Sequence, residues 1–161
     1  MPQKILRTIT GVLKAVDWYK YGEHTAVLLL ASTGAAESNF GEHKRQIIQY
    51  YPIVYGRARG FFQMEPQTLK DIYINFLQYR QNLAEDISFL TGITSPSTYD
   101  LENNLVYQIL LARVHYLRVP EKLPEPIPVE LGRYWKKYYN TVLGKGTIEG
   151  FLRKYRKHIG D

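Results

Sequence analysis

Residues 24–36 read HTAVLLLASTGAA, a run with no Asp, Glu, Lys or Arg. Its length and spacing predict a helix, and its lack of a polar stripe predicts one buried on most sides. Such a helix needs other elements packed around it, which constrains this chain more than any other stretch. Gly22 breaks the backbone just before it. With 161 residues, the chain is long enough for one domain with a real core and too short for two comfortable ones.

The remaining segments read as further helices. Residues 4–20 are amphipathic, with Ile5, Ile9, Val12, Leu13 and Val16 at helical spacing. Pro66 suits a first helical position. After it, Leu69, Ile72, Phe76, Leu83, Ile87 and Leu90 predict one long helix stopped by Thr91-Gly92. SPST at 95–98 is a turn into a helix lined by Leu101, Leu105, Ile109, Ala112 and Tyr116. The segment 119–130 holds four prolines and is expected to run extended. Two shorter helices are expected at 131–139 and 147–158, and residues 41–57 are expected to be irregular. The expectation is a mainly α chain, a single domain over 1–161, with no strands.

Composition narrows the functional classes. Fourteen tyrosines supply flat apolar faces with polar tips, which suit sugars, bases and protein interfaces alike. There is no cysteine, so disulfides and thiolate metal sites are excluded. The four histidines lack metal-ligand spacing, LGKGT lacks the upstream glycine of a phosphate loop, and no nucleic-acid module is recognisable. No cofactor is expected. The net charge of +6 falls within residues 131–161, where eight Lys/Arg face Glu149 and Asp161. A neutral body with a basic end implies electrostatic contact with an anionic membrane or wall, or else a solvated helix face. No leader or membrane span is read at the start of the chain.

Glu37 stands one residue beyond the apolar run. Thr33, Leu30 and Ala26 lie four, seven and eleven residues behind it, so it shares the inward face of that helix. Burial and the helix C-terminal dipole both push a carboxyl pKa upward, which favours a general acid. The alternative is a frayed helix end with Glu37 in water. A second unusual stretch is ARGFFQMEPQT at 58–68, which fits neither a helix nor a strand period and reads as a loop entered at Gly60.

AESNF (36–40), GFFQMEPQT (60–68) and YYN (138–140) together resemble, in order and type, the three signature blocks of soluble lytic transglycosylases. That family shares its lysozyme-like fold with goose-type lysozymes. The resemblance runs from about residue 20 to 150 and looks closest to bacteriophage wall-degrading enzymes. Val54 stands where the family writes serine and Arg57 where it writes glycine, while Ala58 and Gly60 match. After Asn140 the customary Ala-Gly is replaced by TVLGKGT.

The resemblance implies Glu37 as catalytic acid/base. It implies Ser38, Phe61, Gln63, Met64, Tyr139 and Asn140 as substrate-binding residues, with peptidoglycan glycan strands as partner and a monomer as the working form. The implied reaction cleaves the β-1,4 bond from N-acetylmuramic acid to N-acetylglucosamine and closes a 1,6-anhydro ring. Glu65 and Glu42 are the candidate second carboxylates if the chemistry is hydrolytic, as in goose-type muramidases. The implied setting is a phage endolysin held in the host cytoplasm until release to the wall, or a virion-borne enzyme. A non-enzymatic virion structural protein is the remaining alternative.

Overall fold

The computed structural model describes residues 2–160; Met1 and Asp161, which close the expected 1–161 domain, lie outside them. The described residues are mainly α-helical. In order they form α1 (Pro2–Ala15), α2 (Glu23–Ser38), β1 (Arg45–Tyr50), β2 (Ile53–Arg59), α3 (Pro66–Asn75), a 3-10 turn (Leu77–Tyr79), α4 (Gln81–Thr91), α5 (Thr98–Asn103), α6 (Leu105–Leu117), α7 (Pro128–Trp135), a π-helical turn (Lys136–Asn140) and α8 (Ile148–His158).

α2 is central, packing against α1, α6, α7 and α8. Ten of its sixteen residues are buried, which is why its sequence carries no polar stripe. α6 is similarly enclosed, and the apolar side chains of both join one hydrophobic cluster that takes in Trp18, Phe62, Leu69, Leu77, Trp135 and Phe151.

Several boundaries differ from expectation, each for a local reason. α1 ends at Ala15 rather than 20, because Asp17 turns left-handed (φ 61°) and sends Trp18 into the core. There the Trp18 indole donates to Asp86 at 2.8 Å. The single helix expected after Pro66 is two. Leu77, not Phe76, is the buried residue at this point, and the 3-10 turn rephases the chain so that Leu69, Ile72, Leu77, Leu83 and Ile87 all face inward. Asn104 divides α5 from α6 by adopting an extended conformation and capping α6 through a hydrogen bond from Tyr107 N–H at 3.2 Å. α7 begins at Pro128, its first-turn proline, three residues earlier than expected.

The largest correction concerns residues 41–57, where strands were not expected. β1 and β2 form an antiparallel hairpin joined at Tyr51-Pro52, a cis peptide bond. Two register shifts interrupt the pairing, and apolar residues stand on both open faces, so no alternation with period two survives in the sequence.

Within the 58–68 stretch, Phe61 differs from its expected role as a substrate-binding residue and turns inward. Gly60 turns at φ +81°, against the carbonyl of Leu101 and the side chain of Gln108. Gln108 Oε1 accepts from Phe61 N–H at 2.6 Å. Phe61 and Phe62 then point into the core. The Phe61 ring stacks on Phe40 at 5.8 Å and lies so close over Gly34 that a Cβ there would overlap it. Arg59 and Met64 pair through two backbone hydrogen bonds and close the loop. Phe61→Ala is therefore expected to cost about 3–5 kcal/mol of folding free energy, as truncation of a core aromatic does, measured by denaturant unfolding. A loss under about 1 kcal/mol would show that Phe61 is not a core residue.

Candidate active site

A cleft of about 990 Å³ opens between the end of α2, the 58–68 loop with the start of α3, and the stretch from Trp135 to Lys154. Glu37 lies in it, half-buried in the last turn of α2. The helix stops at Ser38, one residue past Glu37, because Asn39 and Phe40 take positive φ (52° and 59°) and their N–H groups cap the carbonyls of Ala35 and Gly34. The inward face read from the sequence is real: Ala26, Leu30 and Thr33 are all buried, and Thr33 Oγ1 shares a 2.8 Å hydrogen bond with the Tyr116 hydroxyl.

The electrostatics around Glu37 pull in opposite directions. Desolvation dominates and raises its pKa to about 7, from an ordinary value of 4.5. The Trp135 indole donates to Oε2 at 2.9 Å, and the charges of Lys154 and Lys136 add to it; all three favour the carboxylate and limit the rise. Lys154 also donates to the carbonyl of Ala36 at 2.9 Å, placing a cation on the negative end of α2. The acid thus titrates near neutrality, where it can both give and take a proton.

The three sequence blocks meet here, and the residues divide into two groups. Gln63, Met64, Glu65, Tyr139 and Asn140 line the cleft with Glu37. Gln63 is also a clamp, its Nε2 lying within 3.1 Å of the carbonyls of His43, Lys44 and Gly60. Tyr139 donates to the Phe62 carbonyl at 2.6 Å and so ties the third block to the second. The π-helical turn positions it. Asn140 Oδ1 accepts from Lys136 at 2.7 Å and steadies the turn toward Gly144.

Ser38, Phe61 and Glu42 do not line the cleft, which corrects their expected roles. Ser38 is buried, donating to the Phe61 carbonyl at 2.6 Å and accepting from Gly41 N–H at 2.7 Å. It fastens the first block to the second from behind. Phe61 is core, and Glu42 is exposed beyond the end of α2.

Five contributors are not read from the sequence. Trp135 stands four residues before Tyr139, a spacing that would have placed it on the same helical face. Lys154 was read as part of a steering surface, yet α8 buries Phe151 and Tyr155 and aims Lys154 at the site. His115 and Arg118 form the remainder, with Asp71 beside them. Arg118 donates to Asp71 at 2.7 Å and lies 2.7 Å from His115 Nδ1. Burial, with the Arg118 charge second, pushes the His115 pKa down to about 3, so the ring is neutral and meets Tyr139 edge-on at 4.8 Å. Asn75 and Arg118 hold the Asp71 carboxyl below the usual range. No group of His, Asp or Glu that could hold a metal ion occurs among the described residues.

The raised Glu37 pKa carries a stability consequence. Below the unfolded value near 4.5 the acid is neutral in both states and costs nothing. As pH rises toward about 7, the unfolded chain ionises freely while the folded one resists, so stability falls and the full penalty holds above that pH. Each tenfold displacement of a proton equilibrium is about 1.4 kcal/mol, so with the rise from 4.5 to about 7 Glu37→Gln is expected to gain on the order of 3 kcal/mol over wild type at pH 8 and little at pH 4. Thermal unfolding across that range measures it. A pH-independent difference would remove the desolvated acid from the site.

No family model, curated protein or solved structure matches the chain, so its chemistry is read from these residues.

Proposed function

We propose that this chain is a lysozyme-like peptidoglycan lytic transglycosylase in which Glu37 is the general acid and then the general base. The observation that carries the reading is a half-buried carboxyl gripped by the Trp135 indole in a cleft of about 990 Å³, where desolvation pushes its pKa up to about 7. Three chain segments far apart in sequence converge on it in the order of the family's signature blocks, and the residues matched to those blocks include Gln63, Met64, Tyr139 and Asn140 on the cleft surface.

The proton accounting needs one carboxyl. Glu37 protonates the glycosidic oxygen as the muramyl C1–O4 bond breaks. The resulting carboxylate takes the proton of the same sugar's 6-hydroxyl as O6 bonds to C1. Glu37 ends as it began, and no water is consumed. Inverting hydrolysis instead asks for a second carboxylate to activate water on the opposite face. Of the other acids on the cleft, Asp71 is engaged by Arg118 and Asn75, and Glu65 stands exposed at the rim. Glu65 is the observation that favours the muramidase alternative.

The proposed setting is a phage endolysin or a virion-borne enzyme acting on the wall. No described helix is long and apolar enough to cross a membrane. The basic end is proposed to contribute through site residues first, since Lys154 is engaged beside Glu37.

Glu37→Gln is expected to stay folded and lose at least about a hundredfold in lytic rate on purified sacculi. Mass spectrometry of wild-type digests is expected to show anhydro-muropeptides, each lighter by one water than hydrolytic products. Dominant reducing muropeptides would replace the transglycosylase by a muramidase and make Glu65 the base to mutate. Trp135→Phe keeps the packing against Phe151 but removes the hydrogen bond that favours the carboxylate. The alkaline limb of the pH–rate profile should then move to higher pH, and an unmoved limb would separate that limb from Glu37.

A further inference from the structure

The β1–β2 hairpin holds apolar surface that nothing in the fold covers. Tyr51 is 95% exposed, Ile48 and Tyr50 are 63% exposed each, and Ile53, Val54 and Tyr55 are exposed beside them. Only the root of the ribbon is anchored. Gly60 N–H donates to the Lys44 carbonyl at 2.7 Å, Gln63 clamps His43 and Lys44, and Arg45 pairs with Glu102. A two-stranded ribbon with neither face packed is marginal in water, and a contiguous apolar patch of this kind marks a contact surface.

The chemistry of the patch narrows the partner. Residues 44–59 carry Lys44, Arg45, Arg57 and Arg59 and no acidic residue. The cations lie toward the root, while the far end pairs Tyr50 with Ile53 next to Tyr51. The basic last turn of α8 lies at the end of α2, where the His158 ring packs 5.0 Å from Phe40. A stack of sugars would use the tyrosine faces but leave Ile48, Ile53 and Val54 without a purpose. A lipid interface uses all of them, with aromatic rings at headgroup level, aliphatic side chains just below, and cations against phosphates. The antiparallel pairing satisfies only the inward-facing backbone groups, so the outer edges of both strands suit the hydrated headgroup layer and not the hydrocarbon core.

We propose that the hairpin is a membrane-docking element whose tip, centred on Tyr50, Tyr51 and Ile53, seats in the interface of an anionic lipid bilayer while the root cations meet its phosphates. This surface is separate from Glu37 and stands whether or not the proposed glycan chemistry does.

The test uses the full chain and vesicles of phosphatidylglycerol and phosphatidylcholine in equal parts. Wild-type protein is expected to co-sediment with them and far less with phosphatidylcholine alone. Tyr51→Ser/Ile53→Ser alters two solvent-exposed side chains, so its thermal unfolding should match wild type while its partitioning falls roughly tenfold or more. Tyr51→Trp should blue-shift in emission on the mixed vesicles only. Co-sedimentation unaffected by the tip double variant would overturn the proposal in favour of the basic surface alone. Absence of vesicle binding would also overturn it. In that case, loss of self-association in the double variant would assign the tip to a second copy of the chain, and loss of sacculus binding would assign it to the glycan.

Discussion

Desolvation of one carboxyl at the end of a largely buried helix organises this site. α2 packs against α1, α6, α7 and α8, so what stands in its last turn is partly removed from water. Glu37 stands there, and the surrounding elements respond to it. α7 brings the Trp135 indole, α8 brings Lys154, and the π-helical turn brings Lys136. Removing those partners would leave the acid still more strongly protonated, and removing the burial would leave an ordinary glutamate. A pKa raised to about 7 is the balance of the two.

Legibility in the sequence followed how locally each feature is determined. α2 could be read because burial on all faces removes every charge from thirteen consecutive residues, and the inward position of Glu37 followed from counting turns. The turn at 95–98 and the first-position proline Pro66 are local devices, and each marks a helix start that the structure contains. The hairpin was not legible, because a ribbon whose two faces are both open and whose register slips twice leaves no alternating pattern. The break between α3 and α4 was hidden for the opposite reason. Choosing Phe76 over Leu77 gave an unbroken rhythm, and only the tertiary position of Leu77 decides between them.

The site shows the same division. Blocks matched by resemblance fell on one cleft at Gln63, Met64, Tyr139 and Asn140, but residue type did not reveal which members face out. Ser38 and Phe61 sit behind the surface, where they hold the first two blocks together. Long-range partners were invisible, since nothing in the run FLRKYRKH distinguishes Lys154, aimed at Ala36, from exposed Arg153 and Lys157. The charge census located the basic end but not which cations in it, Lys136 and Lys154, act on Glu37 at the end of α2.

That distinction bears on how one carboxyl could serve two successive steps. A strongly raised pKa makes a good initial acid but leaves, after proton transfer, a base that is costly to maintain in a dry site. An ordinary pKa gives a comfortable carboxylate but few protonated molecules near neutrality. Trp135 and the two lysines act on the charged form alone, so their stabilisation arrives when Glu37 has given up its proton. Burial penalises that same charged form, so the two influences oppose each other on the carboxylate and hold the acid near neutrality. On the proposed reaction the same pair of influences lets Glu37 begin as donor and finish as acceptor, which accounts for how a cleft with few free acids could dispense with a second carboxylate.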